Sequence, residues 1–194
     1  MKKIVFLSTT AIAFAMLSFT VISDINWSAD IVHSRVGFTV NHLGIADING
    51  SFTTYEAKIT GSKPDFSDAV VELSGDVSSI STGNEMRDGH LKAADFFDAA
   101  KFPKFSFKSN SFKKLKDKTY IVLGDFTLHG ITKPVTLNAE LVGTVTHPMT
   151  KKEMIGFKVT GKIKRSDFGV GAGFPAPMLS DEVKLIADLE FSKD

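Results

Sequence analysis

Cysteine is absent from this 194-residue chain, and tyrosine and tryptophan are scarce beside phenylalanine. Without cysteine the chain forms no disulfide, no thiolate metal site and no thiol nucleophile. Phenylalanine occurs 17 times, against two tyrosines and one tryptophan, so most of the aromatic area has no polar group. This enrichment is typical of a well-filled core, and it equally suits a wall that faces an apolar ligand.

An excess of either charge is also missing, because 23 basic and 22 acidic side chains leave a formal charge of +1. A nearly neutral chain has no broad field that attracts nucleic acid, so we expect no nucleic-acid partner. No H-E-x-x-H metal motif, G-x-S-x-G elbow or phosphate-binding glycine loop is present. We therefore expect neither an enzyme, nor a metal, nor a cofactor.

A long apolar run lies at the N-terminus and follows the cationic Met1-Lys2-Lys3. It extends from Ile4 to about Phe19, and Val21-Ile22-Ser23 resembles a cleavage site, which together predict a signal peptide over residues 1–23. The expected destination is the periplasm, with a mature domain of residues 24–194. Because the run approaches membrane-spanning length, an uncleaved anchor is the alternative.

Apolar and polar residues alternate through most of the remaining chain. In the stretch from Ser34 to His42, every second residue from Val36 onward falls on one face, which is typical of a half-buried strand. The alternation changes phase between Phe52 and Tyr55, which indicates a bulge. About eight to ten such strands with short turns predict an all-β fold. We expect a closed antiparallel eight-stranded up-and-down barrel, with a sandwich as the alternative.

The interior of an eight-stranded barrel is just wide enough to be filled by side chains or to hold one small ligand. Strand phase, together with two phenylalanines of the central segment, predicts the residues that face this interior. They are Val36, Phe38, Val40, His42, Phe52, Leu73, Val77, Phe96, Phe97, Phe105, Phe107, Phe126, Leu137, Phe157, Val159 and Leu185.

The longest interruption of the strand pattern runs from Ser81 to Phe107. Thr82 followed by Glu85 fits a capping box at a helix start, and Pro103 prevents a helix from continuing. We predict one or two short helical turns near residues 83–99. Phe96 and Phe97 would then close or line one end of the barrel as a lid.

Five polar residues are candidates for a site at that end: Arg87, Asp88, His90, Arg165 and Asp167. An arginine fork can pin a loop to carboxylates and carbonyls, and it can equally hold the headgroup of a ligand. Both interpretations remain open from the sequence. A hydrolase or metal-dependent enzyme that uses Asp88 and His90 is a further alternative, motivated by the clustering of titratable groups.

Several blocks, in a consistent order, make the chain resemble the YceI-like, polyisoprenoid-binding family of secreted bacterial β-barrels. The match covers essentially the whole predicted mature chain. The blocks are Trp27–Asp30 (WSAD), His33-Ser34, Phe38–Gly44 (FTVNHLG), Gly50–Phe52 (GSF), Ser79–Thr82 (SIST), Arg87–Leu91 (RDGHL), Asp95–Asp98 (DFFD), Phe102-Pro103, Gly124–Val135 (GDFTLHGITKPV), Arg165–Gly169 (RSDFG) and Ser180–Val183 (SDEV).

The resemblance implies an extended, lipocalin-like antiparallel barrel whose long apolar cavity holds an isoprenoid-tailed lipid of the polyprenyl phosphate or quinone type, without catalysis. A periplasmic carrier or sequestering protein is the expected function. In that case Arg87, His90 and Arg165 would meet the headgroup, and transient contact with a membrane is expected. A ligand-free envelope interaction domain is the alternative. The sequence leaves open the ligand's chain length and the oligomeric state, a dimer included.

Overall fold

The computed structural model describes residues 24–194, and the predicted signal peptide lies outside the described residues. Within them the chain forms eleven strands, one short α-helix and three single turns of 3-10 helix. The helix is α1 (Glu85–Leu91). The strands are β1 (Ile25–Ala29), β2 (Arg35–His42), β3 (Ala46–Phe52), β4 (Tyr55–Gly61), β5 (Val70–Asp76), β6 (Ile80–Ser81), β7 (Lys104–Lys114), β8 (Thr119–Leu128), β9 (Ile131–Thr146), β10 (Glu153–Lys164) and β11 (Leu179–Lys193).

All strands belong to one antiparallel sheet that closes on itself. The order β1-β4-β5-β7-β8-β9-β10-β11 returns to its start because β11 also pairs with β1, for example at Trp27 and Lys193. Strands β2, β3 and β6 extend the sheet beyond this ring along β11. The predicted eight-stranded antiparallel barrel is confirmed. A closed ring has no free edges, so it removes unpaired backbone groups from most of the sheet.

Two of the barrel's long strands are broken in the middle. A 3-10 turn at Ile31–His33 separates β1 from β2, and its N-cap Asp30 accepts a hydrogen bond from the Val32 amide at 3.0 Å. The phase change predicted after Phe52 coincides with the break at Thr53-Thr54 between β3 and β4. Each break lets the chain bend and redirects the side chains that follow.

The ends of the barrel differ in how they are closed. The covered end carries the β2–β3 turn, the β8–β9 turn, the β10–β11 loop and residues 82–103, here called the cover segment. The far end carries the β4–β5, β7–β8 and β9–β10 turns. Strand β3 pairs with β6 only at Ser51 and Phe52, so most of its outer edge has no strand partner among the described residues. The cover segment lies at this incomplete part of the sheet.

Contacts of the cover segment reach three different elements at the covered end. Phe97 packs against Phe52 of β3, with ring centroids 6.3 Å apart. Phe102 packs edge-on against His129 in the β8–β9 turn at 4.6 Å, and Phe96 contacts Phe174 in the β10–β11 loop at 4.7 Å. These aromatic contacts hold the segment across the opening of the barrel.

The predicted helical turns are present as α1, but the predicted cap is wrong. The helix begins after Asn84, whose side-chain oxygen accepts a hydrogen bond from the Arg87 amide at 3.0 Å. Thr82 lies outside the helix and donates to Asp88 instead, from its amide at 2.8 Å and from its hydroxyl at 2.5 Å. Asn competes well with Thr as a cap, which a spacing rule for Thr and Glu does not capture.

The core has two clusters, one in the body of the barrel and one beneath the cover segment. In the first, Phe66 packs on Trp27 and Phe157, and Phe157 also meets Phe112 and Tyr120. This aromatic layer closes the far end. Tyr55 in the same cluster is buried, and its hydroxyl is the one buried side-chain polar atom without a hydrogen-bond partner within residues 24–194.

Candidate ligand cavity

A chamber of about 130 Å³, here called the inner chamber, lies in the body of the barrel. No polar side chain lines it. The lining consists of Val36, Gly37, Phe38, Phe52, Ala57, Ile59, Val71, Leu73, Phe105, Phe107, Phe112, Val122, Phe126, Val135, Leu137, Ala139, Phe157, Val159, Leu185, Ile186, Ala187, Leu189 and Phe191.

A second chamber of about 90 Å³, here called the outer chamber, lies beneath the cover segment. Its walls come from the cover segment, from β2, β3, β8, β10 and β11, and from the loop after β10. Arg165 is the one polar residue among them. The lining consists of Phe38, Val40, Phe52, Leu91, Phe96, Phe97, Phe126, Leu128, Ile163, Arg165, Val170, Leu179, Val183 and Leu185.

Four side chains line both chambers and form a constriction between them: Phe38, Phe52, Phe126 and Leu185. Phe38 and Phe52 are themselves in contact, with ring centroids 5.9 Å apart. The two chambers therefore form one apolar path that narrows at the constriction. Because ligand pockets commonly hold ~300–1,000 Å³, a long ligand would have to occupy both chambers and displace the constriction residues.

The structure places all but two of the predicted wall residues in the lining of one chamber or both. His42 is exposed at the end of β2 and lines neither chamber, because the strand has by then passed the rim of the barrel. Val77 is almost fully buried in the core cluster under the cover segment, in the 3-10 turn that follows β5. The turn ends the strand alternation, so phase no longer predicts where Val77 points.

Strand phase also contained signals that the prediction did not use. Ala57 and Ile59 follow Tyr55 in the inward phase of β4, and Leu189 and Phe191 continue the phase of Leu185 in β11. All four of these aliphatic and aromatic residues line the inner chamber. Two residues of the outer chamber gave no periodic signal. Val170 lies in the irregular loop after β10, and Leu179 lies at a register shift in β11.

Arg165 is buried, and its side chain is fully engaged by the protein. Its guanidinium donates to five backbone carbonyls: Nε to Ser180 at 3.1 Å, Nη1 to Val170 at 3.1 Å and Gly171 at 2.5 Å, and Nη2 to Leu179 at 3.0 Å and to Phe174. An arginine has five N–H donors, so none is left for a ligand. The geometry is that of a lock on the β10–β11 loop.

Arg87 and Asp88 fasten the start of the cover segment. Arg87 donates from Nε to the Thr82 hydroxyl at 2.7 Å and from Nη2 to the Thr82 carbonyl at 2.9 Å. The Asp88 carboxylate accepts hydrogen bonds from the amide and the hydroxyl of Thr82. Thr82 is therefore held from both sides, and the first turn of α1 is tied to the strand that precedes it.

His90 and Asp95 form an exposed pair within the cover segment, with Nε2 and Oδ2 2.8 Å apart. The hydrogen bond from His90 holds the pKa of the Asp95 carboxyl below its ordinary value. The imidazole ring stands edge-on against Phe96, with centroids 4.9 Å apart. His90 thus pairs with Asp95 and not with Asp88, and the structure does not assemble the His90–Asp88 pair of the hydrolase alternative.

Asp167 is exposed within the 3-10 turn at Arg165–Phe168. The carboxylate that fastens this turn is Asp181, which accepts from the Ser166 amide at 3.0 Å and from the Ser166 hydroxyl at 2.9 Å. Asp181 of β11 therefore has the loop-locking role that the sequence suggested for Asp167. Sequence spacing could not distinguish the two, because the contact joins residues 15 positions apart.

One group of potential metal ligands occurs within residues 24–194, formed by Asp30, His33 and Glu190 within 4.8 Å of one another. Hydrogen bonding to Asp30 raises the pKa of His33, and the pair's Nδ1 and Oδ2 atoms lie 2.9 Å apart. Because Asp30 also caps the 3-10 turn through Val32, its position has a structural explanation. The group lies outside both chambers.

Comparison with known proteins agrees with this architecture. The family model described as the YceI-like domain matches residues 27–191. The chain belongs to the YceI-like family. The YceI protein of Escherichia coli O157:H7 is 36% identical, across 98% of this chain and 97% of that protein.

Solved structures show the same relationship for the barrel of this YceI-like domain. A YceI protein of Campylobacter jejuni is 32% identical, with a TM-score of 0.73 over 92% of this chain and 99% of that chain. A polyisoprenoid binding domain from Saccharophagus degradans shares the fold at 17% identity, with a TM-score of 0.64 over 87% of this chain and 98% of that chain. No helix of residues 24–194 has the length and apolar character needed to cross a membrane.

Proposed function

We propose that this protein binds an isoprenoid-tailed lipid, of the polyprenyl phosphate or quinone type, inside the barrel and carries or sequesters it in the periplasm. The observation that carries the proposal is the inner chamber, which has 23 lining residues and no polar side chain. Such a chamber offers no group for orienting a polar substrate or for acid–base chemistry. A binding protein fits this arrangement better than an enzyme does.

An apolar tail gains affinity from burial alone. Each CH₂ removed from water contributes ~0.8 kcal/mol, so a five-carbon isoprene unit contributes roughly 4 kcal/mol before ordering costs. A few units in the two chambers would give useful affinity without any polar contact. The Saccharophagus degradans protein of the same fold is a polyisoprenoid binding domain, and this ligand class supports the proposal.

In this proposal the tail lies in both chambers and the headgroup stays near the covered end. Arg165 has no free donor, so we assign it to loop locking rather than to headgroup binding. Arg87 and Asp88 fasten the start of the cover segment, and His90, which pairs with Asp95, is the exposed polar group beside Phe96. His90 is therefore the candidate for headgroup contact at the rim of the outer chamber.

A matched pair of leucine substitutions tests whether the chambers hold the ligand. Leu185→Trp fills the constriction from inside and stays apolar, whereas Leu123→Trp adds the same group at a position that is 44% exposed on the outside of β8. Uptake of geranylgeraniol, measured by native mass spectrometry, should fall at least tenfold in Leu185→Trp and stay unchanged in Leu123→Trp. Equal uptake by both variants would contradict binding inside the barrel.

A further inference from the structure

The part of the β10–β11 loop that follows Asp167 differs from the far-end turns in carrying no charge. From Phe168 to Leu179, twelve consecutive residues (FGVGAGFPAPML) include no charged or polar side chain. At the far end, in contrast, the β4–β5, β7–β8 and β9–β10 turns each contain two or more charged residues. Both kinds of loop belong to the same chain, so the composition of the whole chain does not explain the contrast.

A second uncharged turn lies directly beside this loop. The β2–β3 turn contains Leu43, Gly44 and Ile45, and the Leu43 amide donates to the Met178 carbonyl at 3.0 Å. Ile45 is 85% exposed, Leu43 51% and Met178 45%. Together with the exposed Pro175, Ala176 and Pro177, they form what we call the apolar patch.

The apolar patch adjoins the outer chamber. Leu179 follows Met178 directly, pairs with His42 in the sheet and lines the outer chamber. Val40 and Val183, a pair in the same two strands, line it as well. An apolar ligand that enters between the cover segment and these strands would therefore pass beside the patch.

The backbone of the loop is also prepared for an apolar environment. Transfer into lipid is costly for unpaired backbone groups, because no water is present to bond them. Four of the carbonyls that Arg165 binds belong to this loop or its end: Val170, Gly171, Phe174 and Leu179. Pro175 and Pro177 have no N–H, and the Pro175 carbonyl accepts from the Met178 and Leu179 amides.

We infer that the apolar patch is the surface by which this protein touches a phospholipid bilayer, and that lipid passes between bilayer and barrel beside it. The inference rests on the proposed function for the lipid exchange, but the contact itself does not. A protein partner would be oriented by polar groups around an apolar centre, and the patch itself offers none. Because the patch is uncharged, the contact does not depend on anionic lipid.

The absence of cysteine allows a direct test of the contact. A single environment-sensitive label is attached at Ile45→Cys or at Val142→Cys, a position on β9 near the far end that is 60% exposed. Both labels are placed in the same exported full chain, so any contribution of the N-terminal residues is common to both. The vesicles contain phosphatidylcholine, with or without phosphatidylglycerol.

With either vesicle, the label at position 45 should shift to the blue and be quenched by lipids brominated in their acyl chains, while the label at position 142 stays unchanged. No response at position 45, or equal responses at both positions, would overturn the inference. A blue shift at position 45 without vesicles, with a doubled mass in analytical ultracentrifugation, would also overturn it and assign the patch to a second copy of the chain.

A transfer experiment separates this inference from the proposed function. Ile45→Asp should slow the transfer of a fluorescent geranylgeraniol from vesicles by about tenfold or more, because a carboxylate is costly in the bilayer. Its binding of the same probe delivered from detergent should match the unmodified protein, and Val142→Asp should match it in both assays. Equal transfer by Ile45→Asp would overturn the inference, whereas no binding from detergent by any variant would overturn the proposed function.

Discussion

Phe52 and Phe105 pack with their ring centroids 4.4 Å apart, although their strands β3 and β7 are not paired in the sheet. Phe105 is 3% exposed and belongs to the core under the cover segment, whereas Phe52 is half-buried and lines both chambers. Of this pair, Phe105 therefore contributes mainly to the stability of the barrel, and Phe52 mainly to the shape of its cavity.

The contrast between the two phenylalanines predicts different effects of truncation. Phe105→Ala should lower the free energy of unfolding by about 3–5 kcal/mol, as is usual for a buried phenylalanine. Phe52→Ala should cost less stability and should widen the constriction, so that the protein takes up longer prenyl alcohols than the unmodified chain does. Urea unfolding and native mass spectrometry with alcohols of increasing length measure the two effects. An unchanged length limit in Phe52→Ala would argue against the constriction.

Arg165→Lys should release the β10–β11 loop although it keeps the charge. Lysine has three donors in place of five, so at least two loop carbonyls lose their partner. Because hydrogen bonds to charged groups contribute about 1.5–3 kcal/mol each, we expect a loss of roughly 3 kcal/mol in unfolding free energy. Amide hydrogen exchange of residues 169–179 should accelerate, and Arg35→Lys at an exposed position should change neither quantity. Unaltered exchange in Arg165→Lys would contradict its role as a lock.

Tyr55→Phe should be neutral or stabilising, by up to about 1 kcal/mol. The Tyr55 hydroxyl is buried without a partner, and burial, followed by the nearby charge of Asp30, raises its pKa. Removing an unpaired buried hydroxyl relieves its desolvation cost and leaves the ring packing intact. Thermal and urea unfolding check this, with Tyr120→Phe as the control aromatic in the same core cluster. A clear loss of stability in Tyr55→Phe alone would reveal a partner for the hydroxyl.

The lowered pKa of Asp68 makes the stability of the folded protein depend on pH in the acid range. Hydrogen bonds from the Ser62 hydroxyl at 2.6 Å and the Ser62 amide at 3.0 Å lower the pKa of Asp68 to about 2. Since the folded pKa lies below the ordinary value of 3.8, the contribution is present above pH 3.8 and is lost as the pH falls towards 2. Asp68→Asn should therefore lower the melting temperature at pH 6 but not near pH 2. Asp167→Asn, at an exposed position, is the control and should change the melting temperature at neither pH. An equal deficit at both pH values would contradict the assignment.

Alternation was sufficient to predict the barrel and most of its wall, because side chains of a strand reach opposite faces at every second residue. Phe107, Leu137 and Phe157 lie in uninterrupted strands and line the inner chamber as expected. Alternation failed at Val77 and His42, where a turn or the end of a strand removes the periodicity.

The polar residues of the covered end were harder to predict, since their roles depend on contacts between distant segments. Arg165 meets carbonyls of a loop with no periodic pattern, and Asp181 rather than Asp167 fastens the Ser166 turn. From the sequence alone, Arg165 and Asp167 could equally have bound a ligand. Only the closed set of five carbonyl contacts distinguishes a lock from a headgroup site for Arg165.

The most direct measurement is the native mass of the protein after purification without detergent. If the protein binds an isoprenoid-tailed lipid, its native mass should exceed that of the polypeptide by a discrete amount, and organic extraction should release a polyprenyl compound. The fraction of protein that carries the adduct should be smaller for Leu185→Trp than for Leu123→Trp. A mass equal to that of the polypeptide alone, together with no uptake of added geranylgeraniol, would contradict the account.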